Sequence, residues 1–361
     1  MRILILTPSL SQGGGVTNYY NTLRMDDQVG IEYFSVNKEN SVSLIGKFYF
    51  SIYIYFSFIL KARKYELIHI NPSLNFKSFY RDMIFIALSR LLNKKILIFF
   101  RGWEDSFQRK IQSSKFSTSL FLHTYGKADH YIVLSEKFRK KLMLLGVNSE
   151  KPFHIETTVA GDSLENSFSI EEKINSANEN INCLFISRIL KEKGIYIAID
   201  AFIKCKQNTP DQRMTLYIAG EGDELSPAQD YVKANKYSDI HFVGQVTGSQ
   251  KIELLKKCHI MIFPTYYGEG LPNCILEGML YGMPIISRIN AGIPDIVKHE
   301  LNGYLTESID KDVFTNFLME IATNKSIYQS MALENFKKAH LRFTTEKVKN
   351  RLLNIYQQTL K

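Results

Sequence analysis

Glu269 and Glu277 stand eight residues apart in the string FPTYYGEGLPNCILEGMLYGMP, residues 263–284. The pattern predicts a strand ending near Phe263, a glycine-bearing loop that holds Glu269, and a helix that carries Glu277. Gly282 and Pro284 then close the unit before the next strand. Gly270, Leu271, Pro272 and Asn273 fall at the helix start, where unpaired backbone N–H groups and the positive dipole end favour an anion. Carboxylates suit sugar and ribose hydroxyls, because each oxygen can accept from neighbouring O–H groups. Taken singly, each carboxylate equally suits a helix cap or a solvated helix position. The whole 22-residue string is the more specific signal.

Arg188 and Lys193 lie five apart in SRILKEKG, residues 187–194, after an apolar run and at the start of a helical pattern. Two cations in such a loop can neutralise a diphosphate, including the charge that grows on it as a leaving group departs. An exposed surface pair is the plain alternative. Gly13, Gly14 and Gly15 sit where the first apolar run meets the first helical pattern, and glycine lets backbone amides approach a phosphate. The stretch is not GxGxxG and no acidic residue follows a second strand at the expected distance, so a dinucleotide reading is weak. A tight turn is the alternative. Arg101 follows the run KILIFF in the segment RGWED. Its guanidinium cannot serve as a base near neutral pH, but it can clamp a phosphate or a sugar acid. Trp103 can stack on a sugar or pack, and Glu104 and Asp105 are candidate acceptor contacts. His69 ends the run ELIHIN, where a core or supporting role is as good a reading as catalysis.

These residues need a scaffold that holds loop ends in place. At 361 residues the chain accommodates two domains of ordinary size. Short runs rich in β-branched and aromatic residues predict strands at 2–7, 66–71, 95–100 and 130–134. After these come 182–186, 214–219, 240–243, 260–263 and 284–287. Helical patterns between them (16–23, 77–92, 136–145, 195–204, 251–256, 274–280) predict parallel sheets covered on both faces. From Ser163 to Asn180 the composition turns to Ser, Asn and Glu, which marks a linker or domain edge. The expected architecture is α/β, two Rossmann-like domains facing across a cleft. Residues 1–162 form the acceptor side, 163–344 the donor side, and a final helix, 345–361, crosses back to the first domain. Ligands of such sheets bind outside the carboxyl ends of the strands.

Hydrophobic residues make up 45% of the chain and charged ones 22%, a globular balance. Residues 1–160 carry 22 Lys and Arg against 12 Asp and Glu, a net +10, while 161–361 carry 23 against 24, a net −1. The positive half suits an anionic partner, in principle a membrane surface, a lipid pyrophosphate or nucleic acid, and a merely soluble basic surface explains it as well. The expected partners are the saccharide or lipid-linked acceptor and an anionic membrane, with no nucleic acid. The greasy segment 48–60 is too short for a bilayer span. With Lys47, Lys61, Arg63 and Lys64 around it, it has the composition of an interfacial helix, and a buried helix of the first domain explains it as well. The four cysteines show no CxxC spacing, which with the absence of a convincing secretory signal points to a cytoplasmic protein. No cluster has metal-ligand spacing and no DxD stands in a suitable loop, so the expectation is a metal-independent site without a cofactor.

The motif from Phe263 to Pro284 resembles glycosyltransferase family 4, the retaining family of the two-Rossmann-domain type called GT-B. The resemblance continues in SRILKEKG, in IAGEGD at 218–223, in FVG at 242–244, in Ala291-Gly292 and in Asn302-Gly303. It is strong over the C-terminal half and weak over the N-terminal half. It implies a retaining transfer from a UDP- or GDP-sugar to a saccharide or lipid-linked saccharide, in cell-surface polysaccharide synthesis at the inner face of a membrane. Glu277 would bind the donor ribose, Glu269 the transferred sugar, and Arg188 and Lys193 the diphosphate, with the glycine loop reaching the donor phosphate. Gly278 and Leu280 replace the usual alanines. Arg101 stands where many relatives carry a histidine near the reacting sugar, and it is the candidate catalytic departure. A sugar-nucleotide 2-epimerase on the same scaffold and a non-catalytic sugar-nucleotide-binding protein are the alternatives.

Overall fold

The computed structural model describes residues 1–37, 44–162, 168–268 and 270–361; of 44–51 only the backbone path is described. The chain divides into two compact units, Met1–Val159 with Thr345–Lys361, and Ala160–Thr344.

Eight strands belong to the first unit: β1 Ile3–Thr7, β2 Ile31–Ser35, β3 Leu67–Ile70, β4 Ser73–Leu74, β5 Lys95–Phe100, β6 Gly102–Trp103, β7 His130–Val133 and β8 Phe153–Ile155. Six of them form a parallel sheet in the order β2-β1-β3-β5-β7-β8, and β4 pairs β6 beyond the ends of β3 and β5. β1, β3 and most of β5 are buried residue after residue, as strands covered on both faces must be. Successive side chains point to opposite faces, and the aromatic contacts follow that alternation. Phe34 meets Phe58 and Phe85, from the helices Leu44–Ala62 and Phe76–Leu91. Its neighbour Tyr33 meets Tyr20 of the helix Gly15–Leu23, on the side where His69 meets Tyr20 and Tyr356. Tyr356 belongs to the last helix, Thr345–Leu360.

The second unit holds β9 Ile181–Ile186, β10 Met214–Ala219, β11 Ile240–Gly244, β12 Ile260–Phe263, β13 Ile285–Arg288 and β14 Gly303–Thr306. Its sheet is parallel in the order β11-β10-β9-β12-β13-β14. The order reverses direction between β9 and β12, the topological switch point where open α/β sheets bind ligands. Gly278 stands on the helix Asn273–Leu280, and the Met261 side chain fills the space beside it. A Cβ there would lie 2.7 Å from Met261 Cε. The space that an alanine methyl would take here is held by the end of a methionine on the neighbouring strand.

The stretch 163–180, read as a linker or domain edge, begins just past the division of the units at Val159 and Ala160, and its second half is no linker. Residues 163–167 lie outside the described chain, but Ile170–Ser176 is a helix of the second unit. Ser169 accepts from the Glu172 N–H as its cap, and Ile170 and Ile174, four apart, are buried. So few apolar residues left the helical period faint in a Ser- and Asn-rich stretch. The strands Ile31–Ser35, Phe153–Ile155 and Gly303–Thr306 are absent from the sequence reading for a related reason. Each lies at or next to the rim of its sheet and is short, and the first and second carry exposed or half-exposed positions.

Candidate functional site

Three loops meet at the carboxyl ends of β9, β10 and β12. Glycine makes this packing work. Gly220, at φ +138°, lies so close to the first loop that a Cβ would sit 1.8 Å from the Ser187 carbonyl oxygen. Gly194, at φ +83°, would put one 2.5 Å from the Pro264 oxygen. Ile189 N donates to Glu221 O at 2.8 Å and Glu224 N to Ile189 O at 3.0 Å, which ties the first two loops together. The Glu192 carbonyl accepts from Tyr266 N at 2.9 Å and Tyr267 N at 3.0 Å, which ties the first to the third. Asn290 then fixes Tyr267 from behind, donating to its carbonyl at 2.6 Å.

The two cations converge on one ring. Lys193 Nζ lies 4.4 Å from the centre of the Tyr267 ring and Arg188 Cζ 5.4 Å from it. Lys193 is buried while Arg188 is exposed and forms no ion pair among the described residues. Both cations draw on the electron-rich Tyr267 ring.

Beside them begins the eight-residue helix Asn273–Leu280, whose N-cap Pro272 offers no side-chain cap. Its start presents backbone N–H groups and the positive dipole end on the same side as the two cations. Gly270 O accepts from Gly292 N at 2.9 Å, and Leu271 and Pro272 are buried, so the entry to the helix is fixed. Glu277 lies in the second turn with a largely buried carboxylate, and its Oε1 accepts from Lys251 Nζ at 2.6 Å. Lys251 comes from the helix Gly248–Lys257 and was not singled out in the sequence, where nothing ties it to a residue 26 positions on. Tyr267 was missed too, although its place two residues before Glu269 could have drawn attention. Glu269 itself lies outside the described residues.

In the first unit Gly13, Gly14 and Gly15 occupy the turn after β1 and the start of the helix Gly15–Leu23, whose first turn no side chain caps. A Cβ on Gly13 or Gly15 would meet nothing within 4 Å, and one on Gly14 would only touch Thr17 Oγ1 at 3.5 Å. Arg101, at the end of β5, is nine-tenths buried and sandwiched between rings. Its Cζ lies 4.1 Å from the Tyr19 centre and 4.2 Å from the Phe99 centre. Burial pushes this guanidinium below its ordinary value, the Tyr19 and Tyr20 rings are its electrostatic neighbours, and Nη1 has no hydrogen-bond partner. A buried cation without a carboxylate is costly.

Trp103 packs. Its indole donates to Gln108 Oε1 at 2.8 Å and its ring lies against Phe100 and Phe138, with the Lys141 ammonium above it. Asp105 is paired to Lys141, and Glu104 Oε1 accepts from Ser106. His69 is fully buried, its Nδ1 2.8 Å from Tyr356 Oη, and burial drives its pKa down to about 3, which holds it neutral. Its place is in the core, between strand and last helix. All four cysteines are unpaired with one another, and no metal-binding cluster occurs among the described residues. Among those residues no helix is long and apolar enough to cross a membrane.

With this geometry in hand, comparison with known proteins is informative. Residues 166–340 match the family model described as Glycosyl transferases group 1. The amylovoran biosynthesis glycosyltransferase AmsK of Erwinia amylovora is 22% identical over 243 residues, which is 66% of this chain and 57% of that relative. The capsular polysaccharide biosynthesis glycosyltransferase CapM of Staphylococcus aureus is 22% identical over 234 residues, 64% of this chain and 60% of the relative. The chain thus spans less than two thirds of the length of either. The structure of HepE of Anabaena in complex with UDP and glucose is similar at a TM-score of 0.69 and 17% identity, covering 99% of this chain and 100% of that one. The fold is that of the GT-B glycosyltransferases, with a parallel α/β sheet in each of two domains.

Proposed function

We propose that the chain is a retaining glycosyltransferase of family 4 type that moves a sugar from a UDP- or GDP-sugar to a saccharide or lipid-linked saccharide, in cell-surface polysaccharide synthesis in the cytoplasm. The carrying observation is the convergence of Arg188 and Lys193 on Tyr267, beside a helix start at the sheet's switch point.

In this reading the diphosphate lies against Arg188, Lys193 and the first-turn amides of Asn273–Leu280. The bond from the anomeric carbon to the diphosphate oxygen breaks, and the two cations take up the charge left on that oxygen. An acceptor hydroxyl attacks the same face of the sugar and its proton passes to the leaving phosphate, so the protein supplies no base. Glu277 accepts from the ribose hydroxyls, with Lys251 holding its other oxygen, and Glu269 accepts from hydroxyls of the transferred sugar. Cations take the place of a metal. Arg101 meets an anionic group, a phosphate or a sugar acid, from the first unit.

Incubation with UDP- and GDP-sugars and undecaprenyl-diphosphate-linked saccharides, read by mass spectrometry with the new linkage assigned by NMR, tests this. Transfer with an unchanged anomeric configuration is expected. Conversion of the donor with no acceptor present would mark a 2-epimerase, and donor binding without turnover a binding protein; an inverted product would refute the retaining mechanism.

A further inference from the structure

The segment 48–60 resolves into an observation the sequence could not supply. From residue 52 on, its helix Leu44–Ala62 buries Ile54, Phe58 and Ala62 and exposes the opposite side. Beside it runs the helix Phe76–Leu91, joined to it where Phe85 packs against Tyr55 at 4.8 Å and Phe58 at 5.0 Å. This second helix also buries one face, through Phe79, Phe85 and Ile86, and exposes the other. Tyr53, Phe56 and Leu60 on the first helix and Phe76, Tyr80 and Ile84 on the second are each between 38% and 66% exposed. Spacings of three or four residues put each set on one side of its helix. Two neighbouring helices on one face of the sheet thus turn large apolar side chains outward together, and a soluble protein rarely exposes such a face without a use.

Charge selects the occupant. Residues 44–95 contain nine Lys and Arg and two Asp and Glu. Both acids are engaged internally: Asp82 is buried against Arg81 at 2.7 Å, and Glu66 accepts from Arg2 N at 2.9 Å. Arg63, Lys64, Lys77 and Arg90 are exposed. An apolar, tyrosine- and phenylalanine-rich face ringed by cations fits the boundary between acyl chains and anionic headgroups.

We propose that the outer faces of residues 52–62 and of the helix Phe76–Leu91 form one docking surface for an anionic lipid bilayer. The aromatic and aliphatic side chains enter the interface and the lysines and arginines meet the lipid headgroups. This stands on the surface of the first unit and is independent of the donor chemistry.

Co-sedimentation of the full chain with vesicles of phosphatidylcholine, alone or mixed with phosphatidylglycerol, tests it. Tighter partitioning onto the mixed vesicles, by at least about tenfold, is expected, weakening as salt rises. The pair Tyr53→Ser with Phe56→Ser and the pair Phe76→Ser with Tyr80→Ser should each lower partitioning about tenfold, because either removes two of the six large apolar side chains of the face. Exposed side chains are not needed for folding, so the melting temperature should hold, and it must be checked. Failure to sediment, equal partitioning onto both vesicles, or full binding by both pairs would overturn the proposal. So would a dimer in light scattering that the same substitutions dissolve, since a second copy would then cover the face.

Discussion

In the first unit the glycines of the opening turn have open space around them, and in the second the glycines of the ligand-side loops press against neighbouring backbone. Gly13 and Gly15 could carry a methyl with nothing within 4 Å, whereas Gly220 would drive one into the Ser187 carbonyl at 1.8 Å. Both sets lie in loops at the carboxyl ends of parallel strands. Yet the second set builds the site by letting three loops lock together, and the first leaves room. Loops locked together in this way hold their side chains in fixed places, which a binding site needs.

The sharpest way to break this contrast is to add a methyl to each side. Gly220→Ala should destabilise the second unit by on the order of 3 kcal/mol or more, from backbone collision and a left-handed φ. Urea unfolding would report it. Gly15→Ala should leave stability within about 1 kcal/mol, with a small gain the more natural direction at a helix start. If both variants unfold alike, the contrast is wrong.

Chemistry should follow the locked side. Lys193→Ala is expected to lower turnover on the order of 100- to 1,000-fold with an unchanged melting temperature, as loss of a preorganised charge-stabilising donor does. Arg188→Ala, at an exposed position, should cost less. Steady-state assay of donor consumption decides it.

Lys251 gives a finer test. Lys251→Met leaves the Glu277 carboxylate without its 2.6 Å partner. The donor KM should rise about tenfold with kcat little changed, the mark of lost ground-state positioning, and Lys251→Arg should restore much of it. A matched fall in kcat would assign Lys251 to the reaction itself.

The smallest effect compares buried histidines. Burial lowers His69 in the first unit and His259 in the second to about 3 each. Folded neutral and unfolded protonated, each binds fewer protons in the native state between about pH 6.5 and 3, so stability declines as pH falls through that window. Lys173, lowered to about 7 by burial, acts at the other end: its native state binds fewer protons between about pH 7 and 10.5, so stability climbs as pH rises there. Urea midpoints across pH should show both slopes, and Lys173→Met should flatten the alkaline one.

Much of the scaffold was legible from the sequence because buried parallel strands are continuous apolar runs. The interior strands β1, β3, β5, β9, β10 and β12 all read that way, and Met214–Ala219 was read with its observed bounds. The rim strand Ile31–Ser35 alternates with exposed positions and lacks that signal. At the site, Arg188, Lys193 and Glu277 could be picked out because motif and charge mark them locally. Lys251, Tyr267 and Asn290 could not, since their parts come from contacts across loops distant in sequence. Trp103 stayed open between sugar and core in the sequence, since a lone tryptophan suits both, and the Gln108 hydrogen bond and the rings around it show it packed.

The central claim, that the locked loops of the second unit hold a nucleoside diphosphate, is tested most directly by calorimetric titration of UDP and GDP into the wild-type chain, Lys193→Ala and Glu277→Gln. The account predicts that one of the two nucleotides binds the wild type and that both variants bind it at least about tenfold more weakly, a loss near 1.4 kcal/mol. Equal affinity in all three proteins, or no binding of either nucleotide to the wild type, would contradict it.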